Sequence, residues 1–400
     1  MDRPDGQRIP LLLLVSDTGG GHRSAAEAVA QAFERQYAGR FAPAICDPLR
    51  GPAASPRLRY LVGLYGPTIR MTPWLWGMLW RSCNAPRRLA LTRRTLLRPA
   101  YRSLAAVVEM HKPTAIIAFH PFIAEPAVCA RNRCAPGALM ITVVTDLVTA
   151  HLSWRDAAVD RIVVPSTPLR HRSRLDGLAE DQVAEIGLPV GAEFARPPAR
   201  LAERRALRAK LGLREDRFLA VLTGGAEGSG GIYRRAAALI RRTDVDVAVI
   251  CGRNAVLRRR LARLAACVDG RLTVRGFVTN MADWLRCADV VVGKAGPGTI
   301  AEAACCAAPL LLTSYLPGQE EGNVQFVVNS GAGRYAPRVR DLVAHVNWLR
   351  QNPEALGEMR MASAAISRPE AAADIAKFVA GLLGVKSPGQ AGPDDPVAAR

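Results

Sequence analysis

The stretch Gly293-Lys294-Ala295-Gly296-Pro297-Gly298-Thr299-Ile300-Ala301-Glu302-Ala303 decides the fold, and it directly follows the apolar run 288–292. The apolar run is typical of a buried strand, and residues 299–307 are compatible with a helix. The sequence therefore predicts a strand, a glycine turn and a helix, whose first backbone amides can face a diphosphate. The turn has neither the GxxxxGK[ST] nor the GxGxxG spacing, which argues against a P-loop and a standard dinucleotide fingerprint.

The same local pattern recurs along the chain. Residues 9–16 are predicted to form a strand, Asp17-Thr18-Gly19-Gly20-Gly21-His22 a turn, and 23–36 a helix. Strand and helix candidates then alternate, which favours parallel sheets. The further candidate strands are 114–119, 139–144, 161–164 and 183–186, followed by 218–223, 246–251, 272–274, 289–292 and 309–313. The predicted fold class is α/β, with two Rossmann-like, doubly wound domains.

The domain boundaries follow from breaks in this alternation. A chain of 400 residues is too long for one ordinary core, and the glycines and prolines of 187–198 suit a linker. The expected parts are an N-terminal domain over 1–194, a C-terminal domain over 204–369, a helix over 370–384 and a disordered tail over 385–400. For the helix, packing back on the N-terminal domain is one option.

Composition limits the classes of partner. Fifty-four Lys and Arg against 35 Asp and Glu give a net charge of +19, which implies attraction to nucleic acid, an anionic membrane or a phosphorylated ligand. The nine cysteines show no zinc-type spacing, and reduced, mostly buried thiols are expected. The apolar run 9–15 is too short for a signal peptide or a membrane span. No cofactor and no metal are expected.

A basic, tryptophan-rich insertion at about 50–108 interrupts the alternation. It contains eleven arginines and no acidic residue, with Trp74, Trp76 and Trp80 close together. Amphipathic aromatics flanked by cations such as Arg87 and Arg88 suit an anionic bilayer interface. Two alternatives stay open: ordinary helical packing with solvated arginines, and nucleic-acid binding, although no nucleic-acid-binding motif accompanies the charge.

Several motifs in one order carry a resemblance to a known family. These are 18–23 (TGGGHR), 144–154 (VTDLVTAHLSW), 276–281 (GFVTNM), 294–303 (KAGPGTIAEA) and 317–323 (PGQEEGN). Together they resemble the monogalactosyldiacylglycerol synthases, relatives of the peptidoglycan N-acetylglucosaminyltransferase, over roughly residues 9–384. The DLxTxH pattern at 146–151, followed by Trp154, is closer to the galactolipid synthases than to the processive glucosyl enzymes.

The resemblance implies a GT-B fold with an interdomain cleft. It also implies a UDP-sugar donor held mainly by the C-terminal domain, a diacylglycerol acceptor entering at the N-terminal domain, and inversion at the anomeric carbon. The expected reaction moves galactose from UDP-galactose to 1,2-diacylglycerol, on the cytoplasmic face of the cell membrane, with anionic lipids as further partners. Glucose or N-acetylglucosamine as the transferred sugar stays open, because a single hydroxyl orientation leaves no visible motif.

Two residues are the candidate catalytic groups. His22 ends the glycine turn, and an imidazole can accept a proton near neutral pH, so it is the expected base. Asp146 ends an apolar strand, where ligands bind in open α/β sheets. It is expected to orient His22 or the acceptor, to take the proton itself, or to cap the next turn. The residues expected to line the acceptor path are His120, His151 and Trp154, with core packing an equal option for Trp154.

The donor site is predicted on three glycine turns, which contain Gly20-Gly21, Gly224-Gly225 and Gly296-Gly298, and on the polar loop 317–323. Glu302 is expected to accept the two ribose hydroxyls, because a carboxylate takes paired hydrogen bonds. Lys294 is expected to neutralise the diphosphate, and Phe277 and Val278 to hold the uracil, as the resemblance implies. The remaining donor candidates approach phosphate through glycines and hydroxyls or contact the sugar hydroxyls: Gly20, Gly21, Gly224, Gly225, Ser229, Gly296, Gly298, Thr299, Gln319, Glu320 and Asn323.

Two functions of other kinds stay open. One is a non-catalytic, basic lipid-binding or nucleic-acid-binding protein on the same scaffold, against which His22, Glu302 and Gln319 argue. The other is a UDP-sugar epimerase, which would have no evident use for the segment from Trp74 to Trp80.

Overall fold

A computed structural model describes residues 7–17, 20–95, 97–155 and 158–386, without the side chains of Arg70 and Leu175. Thr18 and Gly19 of the first glycine turn, and residues 387–400 of the expected tail, lie outside the described residues. The chain divides into two compact units. Unit 1 combines the chain up to Pro67, Leu79–Ala192 and the chain from Glu370 onward; unit 2 combines Thr68–Met78 and Glu193–Pro369.

The first part of the chain alternates strands and helices around a group of five consecutive helices. Its elements are β1 (Ile9–Leu14), α1 (Gly21–Gln36), β2 (Phe41–Cys46), α2 (Pro56–Gly63), α3 (Tyr65–Met71), α4 (Pro73–Cys83), α5 (Pro86–Thr95), α6 (Arg98–His111), β3 (Ala115–Ala118), α7 (Pro121–Cys134), β4 (Leu139–Val143), β5 (Arg161–Val164), α8 (Thr167–Leu175) and β6 (Val183–Glu185). Within the described residues the strands form one parallel sheet in the order β2-β1-β3-β4-β5-β6.

The second part repeats the alternation. Its elements are α9 (Leu201–Leu211), β7 (Leu219–Thr223), α10 (Ile232–Arg242), β8 (Asp246–Ile250), α11 (Ala255–Ala265), β9 (Leu272–Arg275), α12 (Met281–Cys287), β10 (Val290–Lys294), α13 (Pro297–Cys305), β11 (Leu310–Ser314), α14 (Glu321–Asn329), β12 (Gly333–Tyr335), α15 (Val339–Gln351), α16 (Pro353–Ala365) and α17 (Ala371–Leu382). The described strands pair in parallel in the order β12-β11-β10-β7-β8-β9. The expected α/β class with two doubly wound sheets is confirmed.

Alternate side chains of β1, an inner strand of the unit 1 sheet, belong to two different cores. Leu12 and Leu14 pack with α6 and α7 on one face of the sheet, and Leu11 and Leu13 pack with α1 on the other. Successive residues of a strand point to opposite faces, so a fully apolar strand is suited to a sheet with helices on both sides. The helix α17 joins α1 in the second of these cores, although it is the last of the described helices.

The insertion differs from the prediction in one respect. It was expected to belong wholly to the N-terminal domain, but Thr68–Met78 groups with unit 2. The packing of Gly77 gives the physical reason, because a Cβ at this position would lie 2.7 Å from Cβ of Pro317. A helix without a side chain there can approach the Pro317 loop closely.

Candidate active site

In each unit several candidate residues lie where the strand order reverses. Ligands of open α/β sheets bind outside the carboxyl ends of the strands at such a switch point. In unit 1 the reversal lies between β1 and β3, which lead to His22 and His120; in unit 2 it lies between β7 and β10, which lead to Gly224 and Lys294.

His22 lies in the first turn of α1, whose N-cap Gly20 offers no side-chain cap. Its Nδ1 lies 2.7 Å from Oγ1 of Thr145, and its ring centroid lies 4.8 Å from that of His120, edge to face. Burial lowers the pKa of His22 to about 4, and the backbone carbonyl of Phe119 opposes this shift. The imidazole is therefore neutral near pH 7 and retains one nitrogen lone pair.

Asp146 makes a hydrogen bond that the sequence did not predict. It is 3% exposed, and its Oδ2 accepts a hydrogen bond of 2.6 Å from Nε1 of Trp154. It is Thr145 whose side chain contacts Nδ1 of His22. Sequence reasoning missed Thr145, although its place beside Asp146 at the end of a strand was a usable signal.

Two residues expected on the acceptor path are buried. Trp154 is fully buried, and its ring lies 6.2 Å from that of His22. His151 is 2% exposed and caps the short turn Leu152–Trp154 through Nδ1, which accepts from the amide of Ser153. Burial lowers the pKa of His151 to about 4. The burial of Trp154 agrees with the option of core packing. A role of either residue on the acceptor path stays a prediction.

His120 is nearly buried and starts a helix. Its Nδ1 accepts a hydrogen bond of 3.3 Å from the amide of Phe122 at the N-terminus of α7. Burial holds the pKa of His120 well below its usual value, and the neighbouring His22 lowers it further. Two neutral imidazoles thus lie side by side at the switch point of unit 1.

A partly exposed ion pair supports the same glycine turn. Arg23 makes a two-pronged ion pair with Asp17, at 2.6 and 2.9 Å, and the amide of Asp17 donates to Asp47. Burial raises the pKa of Asp47, and the amides that it accepts from oppose this shift. These contacts fix the chain on the strand side of the glycine turn, and no sequence motif pointed to them.

The turn 224–231 between β7 and α10 is the second glycine turn. At several of its positions there is no room or no allowed backbone conformation for a side chain. A Cβ on Gly224 would lie 2.3 Å from the backbone oxygen of Ser229, and Gly225 has φ +67°. Gly228, Gly230 and Gly231 also have positive φ, which side chains other than hydrogen rarely allow. The compact turn leads directly from β7 into α10.

Glu302 lies in α13 with a half-buried side chain. Among the described residues its carboxylate makes no hydrogen bond and no ion pair. Burial raises the pKa of Glu302 to about 7, and the carboxylate of Glu193 adds to the shift. An unpartnered carboxylate of this kind is suited to a ligand that brings hydroxyl donors.

The loop 316–323 is held to the end of β10 by two buried side chains. Glu320, 3% exposed, accepts from Nζ of Lys294 at 2.5 Å and from the amide of Leu316 at 2.9 Å. Asn323, 1% exposed, donates from Nδ2 to the carbonyl of Ala295 at 2.9 Å. Lys294 was expected to be a cation available for a diphosphate, and in this structure its charge is already paired. Gln319 is half-buried in the same loop.

Phe277 is an exposed aromatic residue of unit 2 that follows β9. Its ring is 58% exposed and has the guanidinium of Arg253 at 5.3 Å, while Val278 is half-buried. Gly296 and Gly298 flank Pro297 at the start of α13, whose N-cap has no side-chain hydrogen bond. The amides of Gly298 and Thr299 therefore lie at an uncapped helix N-terminus.

The insertion exposes an unusual amount of apolar surface. Of the fifteen large apolar side chains that are exposed among the described residues, seven lie between residues 60 and 91: Tyr60, Leu64, Met71, Trp74, Met78, Leu79 and Leu91. Trp76 and Trp80 are half-buried, whereas Arg87 and Arg88 are exposed. Within the described ranges, no helix combines the length and the apolar character needed to cross a bilayer.

Comparison with known proteins gives consistent results for both parts of the chain. The model of the monogalactosyldiacylglycerol (MGDG) synthase family matches residues 22–190, and that of the glycosyltransferase family 28 C-terminal domain matches 221–377. Monogalactosyldiacylglycerol synthase 3 of Arabidopsis thaliana is 32% identical, over 95% of this chain and 83% of the relative. A probable monogalactosyldiacylglycerol synthase of Glycine max is 33% identical, over 90% and 69%.

Solved structures show the same fold at low sequence identity. The complex of Anabaena Alr3699/HepE with UDP superposes with a TM-score of 0.57 at 13% identity, over 94% of this chain and 99% of that one. MurG of Acinetobacter baumannii gives 0.58 at 14% identity, over 94% and 100%. Because relatives above 30% identity cover nearly the whole chain, it belongs to the monogalactosyldiacylglycerol synthase family of glycosyltransferases.

Proposed function

We propose that this glycosyltransferase moves galactose from UDP-galactose to the free hydroxyl of 1,2-diacylglycerol at a membrane surface, with inversion at the anomeric carbon. One observation carries the proposal: the similarity to monogalactosyldiacylglycerol synthases extends over 95% of the chain. It therefore includes the switch points of both sheets. The side chains at each switch point support one part of the reaction.

Unit 2 is suited to the UDP part of the donor. Glu302 accepts the ribose hydroxyls, and the exposed ring of Phe277 with Val278 packs on uracil. The amides of the Gly224–Gly231 turn and of the α13 N-terminus face the diphosphate. Solved proteins of this fold contain UDP or UDP-glucose, which agrees with such a donor.

Unit 1 supplies the proton acceptor. In the tautomer that this role requires, Nδ1 of His22 donates to Thr145 and Nε2 keeps its lone pair. Nε2 takes the proton of the acceptor hydroxyl while the hydroxyl oxygen bonds to the anomeric carbon of galactose. The bond from that carbon to the UDP oxygen breaks, and its electron pair leaves with UDP. Asp146 is buried and accepts a hydrogen bond from Trp154, and in this mechanism it takes no proton.

The proposed acceptor is a lipid, so the enzyme must work at a membrane. The exposed side chains between Tyr60 and Leu91 can enter the headgroup region, while Arg87 and Arg88 contact anionic lipid phosphates. An arginine near an anionic surface contributes about 1 kcal/mol. We propose a peripheral protein of the cytoplasmic face of the cell membrane, with anionic lipids as partners.

The proposed mechanism requires no cofactor and no metal. Charge on the departing diphosphate is stabilised by helix amides and basic side chains. Activity is therefore expected to persist in excess EDTA. Loss of activity on chelation, with recovery on adding a divalent cation, would overturn this part of the proposal.

The test is an assay of the purified protein with labelled UDP-galactose, UDP-glucose and UDP-N-acetylglucosamine in turn, on anionic vesicles containing diacylglycerol. The proposal predicts a labelled lipid that depends on diacylglycerol and forms fastest from UDP-galactose. Faster transfer of another sugar would reassign the donor. Vesicle binding without any product would favour a non-catalytic lipid-binding protein, and conversion of the donor without acceptor would favour an epimerase.

A further inference from the structure

The first turn of α10 contains a half-buried arginine that forms no ion pair with a carboxylate of the described residues. Arg235 donates from Nη1 to the carbonyl of Gly230, and from Nη2 to the carbonyls of Thr313 at 2.9 Å and Pro337 at 3.3 Å. Its Nε is buried and has no hydrogen-bond partner among the described residues. Within that part of the chain, Arg235 forms no ion pair with any carboxylate.

These contacts place the guanidinium against the backbone of the second glycine turn, at Gly230. A Cβ on Gly231 would lie 2.7 Å from Nη1 of Arg235, so the close approach depends on the glycine. Ser229, Lys294 and Thr313 line the same small cavity as Arg235, at the carboxyl ends of β7, β10 and β11. This is the edge of the sheet where ligands bind.

The charges around this cavity do not balance. The cation of Lys294 is paired with buried Glu320 at 2.5 Å. The hydrogen bonds of Arg235 go to backbone carbonyls, whose dipoles solvate its charge without cancelling it. Removing a guanidinium from water is costly unless an anion compensates for it. The two cations and one carboxylate therefore leave one positive charge at the strand ends.

We propose that Arg235 supplies the uncompensated positive charge of the donor site. Its hydrogen bond to the carbonyl of Gly230 positions the second glycine turn. Its charge stabilises the diphosphate of the donor and the leaving UDP. When the bond between the anomeric carbon and the UDP oxygen breaks, its electron pair stays on that oxygen, so negative charge increases next to the turn. This inference rests on the proposed function, because it requires a nucleoside-diphosphate donor in unit 2.

The test compares UDP, UMP and uridine as ligands of the full-length protein, by calorimetry at low and moderate salt. For Arg235→Met we expect UDP to bind about 10- to 100-fold more weakly, in line with the loss of a charged contact. UMP should be affected less, and uridine should bind within about twofold of wild type. Arg235→Lys, which keeps the charge, should recover most of the UDP affinity and its salt dependence.

Arg271 provides a matched control. Its guanidinium also donates to backbone carbonyls, those of Thr243 and Val245, but at the amino end of β8. Arg271→Met should leave the preference for UDP over uridine unchanged. If Arg235→Met does not fold, Arg235→Lys and Arg235→Gln decide the matter, because only the lysine variant should keep the salt-dependent affinity for UDP.

The outcomes separate this inference from the proposed function. Wild-type protein that binds no UDP would overturn the proposed donor. Wild type that binds UDP, with Arg235→Met binding it equally well, would overturn the role of Arg235 and leave the donor in place. Equal weakening of UDP and uridine would also overturn it, since that result shows collapse of the site rather than loss of a charge.

Discussion

Two neighbouring residues of unit 1, Thr145 and Asp146, differ in what they contact. The hydroxyl of Thr145 lies beside Nδ1 of His22, and the carboxylate of Asp146 accepts a hydrogen bond from Trp154. Burial of the imidazole keeps the pKa of His22 low.

Replacing His22 by alanine tests its role as the base. We expect His22→Ala to lower turnover by about 10²- to 10⁴-fold, the usual effect of a general base, with UDP affinity unchanged. Thr145→Val, which removes only the hydroxyl partner, should cause a smaller loss, about tenfold. Turnover and UDP affinity are measured for both variants. A parallel loss of UDP affinity in His22→Ala would make His22 a phosphate ligand instead.

Glu302 gives a prediction for pH. Its pKa is raised to about 7 in the free protein, and ribose hydroxyls bind the ionised form. Below that pKa, binding must first remove the proton, so uridine affinity should fall up to about tenfold for each pH unit. Above it, affinity should be constant. Calorimetry with uridine measures this, because uridine does not titrate between about pH 5.5 and 8.

Glu302→Gln is the matched variant for that experiment. It should bind uridine more weakly than wild type at pH 8, and its affinity should be independent of pH. A pH-independent wild type would show that Glu302 does not contact the ribose. The carboxylate of Glu193 belongs to the same test, since Glu193→Gln should lower the pH at which affinity falls.

At the residue scale the sequence located the strand ends better than the partners of each side chain. Lys294 and Glu320 are 26 positions apart, and their ion pair depends on how β10 and the loop 316–323 meet. The burial of Trp154 and His151 depends likewise on tertiary packing. The roles predicted for the donor residues stay predictions until a ligand is bound.

At the scale of elements, hydrophobic pattern and glycine turns located most strands to within one or two residues. The predicted strand 161–164 coincides with β5, and the predicted helix 23–36 lies within α1. Two edge strands were not predicted. β2 (Phe41–Cys46) contains Pro43 and two alanines, and β12 is only three residues long. Edge strands tolerate proline and need little apolar sequence, so they leave a weak signal.

The helix α4 carries a prediction about membranes. Trp74 and Met78 are 66% and 55% exposed, whereas Trp76 and Trp80 are half-buried. We expect Trp74→Ser with Met78→Ser to weaken binding to anionic vesicles by about tenfold or more, because burying each apolar side chain contributes roughly 1.5–3 kcal/mol. Vesicle co-sedimentation measures the effect.

The control for this experiment is Trp348→Ser, since Trp348 is 36% exposed in unit 2, outside the insertion. It should bind vesicles like wild type. If the α4 double variant also binds like wild type, the exposed segment does not enter the membrane and ordinary packing accounts for it.

The helix α17 carries a prediction about stability. Ile375 is fully buried against α1 in the core of unit 1. Ile375→Ala should lower the free energy of unfolding of unit 1 by about 2–5 kcal/mol, whereas Lys377→Ala, at an exposed position of the same helix, should change it by less than about 0.5 kcal/mol. Chemical denaturation with and without UDP measures this. UDP, proposed to bind unit 2, should stabilise the unfolding transition of that unit. If Ile375→Ala lowered the stability of only that transition, the assignment of α17 to unit 1 would be contradicted.

At the scale of the whole molecule, each unit is assembled from segments distant in sequence. The helix α17 belongs to unit 1 although it follows the unit 2 segment in sequence, and Thr68–Met78 of the insertion belongs to unit 2. The repeated strand and helix pattern was enough to predict two doubly wound sheets. The pattern could not predict which unit these two segments belong to. That depends on tertiary contacts, such as the one between Gly77 and Pro317, and not on periodicity.

The net charge of +19 also belongs to this scale. Eleven arginines without an acidic residue lie in the same insertion as the exposed apolar side chains. A cationic and amphipathic surface of this kind is suited to anionic lipid more than to nucleic acid, for which no motif is present in the sequence.

The most direct test of the central claim is the identity of the lipid formed when the protein meets all three UDP-sugars together on diacylglycerol vesicles. Mass spectrometry and NMR of that lipid would give its sugar and its anomeric configuration. The account predicts a single galactose in β linkage to the free hydroxyl of diacylglycerol, the inverted product of an α-linked donor. A lipid with the α configuration, or free sugar and UDP with no glycolipid, would contradict it.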